Sequence, residues 1–183
     1  MRKGRPFFLA TPCVLLLFPA CSPGGAAPGA GTPAHEADAV VEPVACEGLE
    51  LSLLAAPPTR EGLRAAFGQP DSIAVTTEPN RHVDNVTDSL FVVRYPGLLV
   101  SMRKPGGGND MADHVEITDG RFVRYSWLAP GALAENVRTS LGEPTGRDTA
   151  SMTYDCNLGA DQPVTFHLRD GRVTSVTIDY YVD

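Results

Sequence analysis

His82, Asp84 and Asp88 lie close together in the chain, and Asp110, Asp113 and His114 form a second short cluster. Imidazole nitrogens and carboxylate oxygens ligate divalent transition metals, so two such loops, folded together, could hold one ion. His82, Asp84, Asp110 and His114 are the candidates for that task. Against it stands the ordinary use of Asn, Asp and His in loops, where they supply turn geometry and solvation. The stretch around Asn109-Asp110 lacks the ligand order of a calcium loop. Gly106-Gly107-Gly108 is followed by neither a lysine nor a helix start, so it does not read as a phosphate loop. No G-x-S-x-G elbow occurs. Asn85-Val86-Thr87 matches a glycosylation sequon and reads more simply as a polar turn. The sequence thus offers no catalytic constellation and calls for no cofactor.

Cysteine carries the remaining chemistry. Arg2, Lys3 and Arg5 precede an apolar run from Phe7 to Ala20, the pattern of a secretory signal cut after a small residue. The run is broken by Pro12 and Pro19 and falls short of the 20 or so apolar residues that span a bilayer. Phe18-Pro19-Ala20-Cys21 resembles the bacterial lipobox, which implies lipid attachment at Cys21 and anchoring in the cell envelope, at the outer membrane and facing the periplasm. Phe18 departs from the aliphatic residue usual at that place, and an ordinary cleaved signal followed by a chance cysteine is the alternative. Cys13 leaves with the signal. Cys46 and Cys156 remain, and an even pair in an exported chain reads as a disulfide, two separate buried thiols being the alternative.

Loss of residues 1–20 takes the formal charge from −7 to −10, because three basic groups leave and no acid does. Such a surface argues against nucleic acid and anionic lipid as partners. The membrane contact expected is the N-terminal lipid alone. Residues 21–45 are rich in Pro, Ala and Gly without an aromatic residue, a composition that cannot offset its ordering entropy and reads as a flexible tether. Residues 46–183 have the size of one domain.

Within that domain the chain echoes itself. Leu63-Arg64-Ala65-Ala66-Phe67-Gly68-Gln69-Pro70 returns as Val137-Arg138-Thr139-Ser140-Leu141-Gly142-Glu143-Pro144. Each copy predicts a short helix with apolar residues at i and i+4, stopped by Gly and then Pro. Thr59 is the predicted N-cap of the first. Asp119-Gly120 and Asp170-Gly171 lie between apolar runs and predict hairpin tips. Leu90–Tyr95 and Leu98–Arg103 predict strands about the turn Pro96-Gly97, and 173–182 a last strand. The expected fold is α+β: two tandem repeats, about 59–127 and 128–183, each of short helices followed by an antiparallel meander, with helices on one face of the sheet.

These features together resemble small exported proteins of the β-lactamase-inhibitor-protein-like fold, a group that includes the SmpA/OmlA (BamE) outer-membrane lipoproteins. The resemblance covers about residues 47–183 as architecture and implies a binding protein rather than an enzyme. The SmpA/OmlA proteins carry one copy where this chain carries two; the secreted inhibitor carries two copies and no lipid. No functional residue is carried over. The function expected is therefore a membrane-anchored protein-binding or scaffold module whose partner is an envelope protein. A secreted-type enzyme inhibitor and a metal-dependent module on the two acidic loops are the alternatives. Tyr125, Trp127, Tyr180 and Tyr181 are candidate binding aromatics, should they line an outer sheet face.

Overall fold

The computed structural model describes residues 40–156 and 162–180. The expectations for the signal, Cys21, the tether up to residue 39 and Tyr181 lie outside the described residues. Helices α1 (Leu49–Ser52) and α2 (Arg60–Phe67) come first, then strands β1 (Ser72–Pro79), β2 (Thr87–Tyr95), β3 (Leu98–Lys104) and β4 (Met111–Ile117). Two single-turn 3₁₀ segments, Gly120–Phe122 and Ser126–Leu128, lead to α3 (Ala134–Leu141). Strands β5 (Gly146–Arg147), β6 (Ser151–Tyr154), β7 (Val164–Arg169) and β8 (Arg172–Asp179) complete the order.

The expectation of two helix-plus-meander repeats is overturned. All eight strands build one antiparallel sheet, ordered β1-β2-β3-β4-β8-β7-β6-β5, with only a few short helices beside it. What joins them is the pairing of β4 with β8, from His114 opposite Asp179 to Ile117 opposite Val176. Asp119-Gly120, expected at a hairpin tip, does something else. The Asp119 side chain accepts the Arg121 N–H and opens a 3₁₀ turn, while the N–H groups of Thr118 and Asp119 both donate to the Gly97 carbonyl. The strand ends there because local side-chain bonding competes with the ladder.

Other turn chemistry acts as its residues dictate. Gly97 takes a positive φ of 88° between β2 and β3, and Asp170 and Gly171, at 53° and 74°, turn β7 into β8. Thr59 caps α2, accepting the Gly62 N–H at 3.0 Å. Both α2 and α3 end on a glycine of positive φ, Gly68 and Gly142.

Strand alternation separates two faces. Phe91, Val93, Tyr95, Val100, Met102, Val115, Ile117, Phe166, Val176 and Ile178 all enter one buried cluster. Leu49, Leu63, Leu128 and Val137, from the helices and the 3₁₀ turns, and Leu53, just past α1, join the same cluster. Leu63 and Val137 are fully buried, whereas Phe67 and Leu141 are only partly so. Phe67 instead stacks edge-on against Phe122, ring centres 4.8 Å apart. Cys46 and Cys156 are joined in a disulfide, with Cα atoms 4.9 Å apart. Upstream of Cys46 the chain is already held: the Val44 N–H donates to the Ser140 carbonyl, and the Ser140 hydroxyl to that of Glu42.

Candidate functional site

The two acidic loops do meet, but around a carboxylate rather than an open ligand set. Asp88, at the start of β2, is 2% exposed. It accepts both bonds from the Asn80 amide, at 2.8 and 3.1 Å, one from Arg103 at 3.2 Å and one from the Gly106 N–H at 3.3 Å. Asn80 in turn accepts the N–H groups of His82 and Val83, folding residues 80–83 as an Asx turn. The Asn80 bonds, with help from Arg103 and Gly106 and against the cost of burial, hold the Asp88 carboxyl below the usual carboxylate range. Arg103 also reaches Glu78 at 2.5 Å. Asp113 lies in the field of Arg103, yet burial pushes its carboxyl up.

The candidate metal ligands are not brought together. His82 and Asp84 are exposed on the first loop. Asp110 faces the helix side, where the Arg60 guanidinium grips it at 2.7 and 2.8 Å and the Arg60 N–H adds a third bond. That grip, led by the side-chain bonds, lowers the Asp110 carboxyl and raises the Arg60 guanidinium. The same guanidinium lies 3.7 Å over the Phe91 ring. His114 is held on β4 with Nδ1 2.6 Å from Asp179. Among the described residues, no three His, Cys, Asp or Glu side chains are placed to hold one ion.

A cleft of about 580 Å³ opens beside the Arg60–Asp110 pair, lined by Thr59, Glu61, Lys104, Gly108 and Asn109. Its central cation and anion satisfy each other, so it presents little net charge to a ligand.

The aromatic candidates belong to the packed side. Trp127 is partly buried and donates its indole N–H to the Ser140 hydroxyl at 3.2 Å. Tyr125 packs 5.7 Å from it, centre to centre. Tyr180 donates its phenol to the Glu50 carbonyl at 2.7 Å, and burial pushes its pKa up. None of these three lines the outer sheet face.

That outer face carries other residues. Register sets Arg94, Leu99, Glu116, Thr177, Thr165 and Thr153 in one row across six strands. Beside it run Val92, Ser101 and His114. The Thr153 and Thr165 hydroxyls share a bond at 3.1 Å, and His167 Nε2 lies 3.3 Å from the Thr177 hydroxyl. Leu90, Val92 and Leu99 are half-buried there, and the core cluster includes none of them. Period-two alternation in β2 and β3 was the sequence signal for this surface; the pairing of Asp110 with Arg60, 50 positions away, left none.

No family model matches the chain, and no curated protein or solved structure shows significant similarity to it. The resemblance to the SmpA/OmlA and inhibitor group rests on the sequence motifs alone.

Proposed function

We propose that the protein is an envelope lipoprotein, anchored through Cys21, that binds another protein on the outer face of its sheet and performs no catalysis. The observation that carries this reading is the layout of that face. A broad antiparallel surface sets Leu90, Val92 and Leu99 among hydroxyls and a few charges, with the helices' buried apolar residues Leu49, Leu63 and Val137 in the cluster on the other side. Apolar anchors inside a polar rim are the usual anatomy of a protein interface. An antiparallel sheet with one solvated face is also free to carry such residues at no cost to its core. The metal-dependent alternative loses its support, since Asp110 and His114 are each engaged by another residue.

The inhibitor alternative has one feature in its favour. The loop from Asn80 to Thr87 exposes Arg81, His82, Val83 and Asp84 above a base pinned by Asp88.

The test is recovery of a partner from native membranes with the full-length protein as bait, comparing Leu99→Arg with Val83→Arg. The reading expects Leu99→Arg alone to abolish recovery. Loss with Val83→Arg alone would favour the inhibitor reading, and recovery unchanged by either would discard both. Anchoring is tested separately: a fatty-acid analogue should label the wild type and leave Cys21→Ser unlabelled.

A further inference from the structure

Strand β1 is one edge of the sheet, and its composition is unlike that of an edge left to water. Among the described residues, no strand pairs with its outer side. From Ser72 to Thr77 it carries no charge, and Ile73 and Val75 are 47% and 56% exposed. Solvated edges are ordinarily short, charged, bulged or interrupted by proline, because their free N–H and C=O groups template further pairing. The opposite edge obeys that rule: β5 is two residues long, ends on Arg147 and is followed by Asp148. On β1 the gatekeepers come only at its end, with Glu78 and Pro79, the latter having no N–H to donate. The uncharged, β-branched run before them is the kind of segment that pairs strand to strand.

Beside β1 lies a groove of about 290 Å³, where Pro70, Ile73, Val93 and Tyr95 lie alongside Gln69 and the α2 residues Arg60, Glu61 and Arg64. The pairing with β2 settles which way β1 faces. Ile73 and Val75 lie opposite Val93 and Phe91, on the core side, while Ser72, Ala74 and Thr76 lie on the outer side.

We propose that β1 pairs antiparallel with β1 of a second copy, about a twofold axis through Ala74. In that register Ile73 stands opposite Val75 of the second copy and Val75 opposite its Ile73, so four branched side chains gather on the core side and cover both grooves. On the outer side Ser72 meets Thr76, and Ala74 meets its own counterpart. A slip of one residue would exchange the two faces. A slip of two one way would set Ser72 against Glu78 and Ile73 against Thr77, and the other way would set Val75 against Asp71; either breaks up the set of four branched side chains. The strand is thus self-complementary in one register, as an isologous contact requires, and that contact closes at two copies. The N-terminal segment joins the fold at the far side, where Val44 is held by Ser140 and Cys46 by Cys156 after β6. Seven strand spacings, about 33 Å, separate the two edges, so pairing leaves the attachment side unobstructed. A six-residue seam is smaller than a standard interface; confinement of copies to one surface raises their effective concentration.

The experiment uses the full-length protein in native membranes with Ala74→Cys, oxidised with copper-phenanthroline and resolved without reductant. A covalent dimer is expected, because the two Cβ atoms would sit about 5 Å apart. Thr76→Cys should give none, since its counterparts would be about 13 Å apart along the strands, beyond disulfide reach. Adding Val75→Lys should sharply reduce the dimer, since a lysine on an edge strand discourages pairing. Purified wild type in detergent, sedimented at about 100 μM to suit a small interface, should be dimeric, and Val75→Lys monomeric with an unchanged melting curve. The crosslinking arm needs no disruptive substitution. Absence of an Ala74→Cys dimer, or equal crosslinking at 74 and 76, would overturn the proposal. So would a monomeric wild type whose Val75→Lys variant loses a bound protein, which would assign this edge to another chain's strand. Leu99→Arg should leave the crosslink intact, separating this result from the fate of the outer-face reading.

Discussion

The phenol of Tyr154 donates to the carbonyl of Gly142 at 3.0 Å, tying the end of α3 to β6. Tyr95 does the same for Gly68 at the end of α2, at 3.1 Å. Burial raises both phenols, that of Tyr154 to about 12. The folded value lies above the unfolded one, so the stabilisation is complete below about pH 10 and declines as pH rises toward 12. Tyr154→Phe should cost about 1 kcal/mol at neutral pH, the worth of one hydrogen bond. It should also flatten the loss of stability in alkali. Urea melts at neutral and alkaline pH, read beside tyrosinate absorbance, test both points.

The same two helix ends yield a backbone prediction. Gly68 sits at φ 82°, ψ −155° and Gly142 at φ 83°, ψ −160°, a region essentially closed to other residues. A Cβ built at either position meets nothing within 4 Å. Gly68→Ala and Gly142→Ala should therefore each lose about 1–3 kcal/mol through strain alone. Denaturant titration should find the two costs alike, and a neutral result at either site would show that the helix end relaxes.

Acid should loosen the loops before the sheet. The Asp88 and Asp110 carboxyls are held low by Asn80 and Arg60 respectively. Their folded values lie below the unfolded ones, so the stabilisation they bring is present above the usual carboxylate range and vanishes as pH falls through it, below about pH 4. Asp113 works the other way, since burial raises it. Hydrogen exchange should show residues 80–87 and 105–110 gaining deuterium first. Asp88→Ala should reproduce that pattern at neutral pH, because both loops bond to its carboxylate.

Removing the disulfide should lower the thermal midpoint. Cys46 and Cys156 lie 110 positions apart in the chain, a separation for which loop-closure entropy gives about 4–5 kcal/mol as an upper value. Cys156→Ala and reduction of the wild type should shift the melt by the same amount. Alkylation without reductant, read by mass spectrometry, should find both thiols blocked.

Legibility followed distance along the chain. Pro96-Gly97, Asp170-Gly171, the Thr59 cap and the glycine stops act through bonds between near neighbours, and their residue types announce them. The register of β4 on β8 joins positions 65 residues apart in the case of His114 and Asp179, and no local pattern encodes it. That pairing fused the strands into one sheet where repeats were expected. The acidic loops misled for a related reason. Asp and His in loops advertise ligation and turn geometry alike; Arg60 and Arg103, which help decide between them, lie 50 and 15 positions from the carboxylates they hold. The i, i+4 spacing predicts burial of Leu63 with Phe67 and of Val137 with Leu141; Leu63 and Val137 are buried, while Phe67 and Leu141, at the last residue of their helices, are only partly so.

The strand order has a consequence for how the chain comes to be folded. β7 and β8 are translated after every strand they join, yet they occupy the middle of the sheet, between β4 and β6. Until that hairpin is made, β1–β4 and β5–β6 are two fragments with no shared edge, each with an apolar side open to the surroundings. The hairpin is the keystone: it must slot between two segments that the Cys46–Cys156 bond has the means to link already. Such late, long-range closure makes for slow folding. It also means that a chain cut short after residue 156 would keep its disulfide partners and lose its sheet.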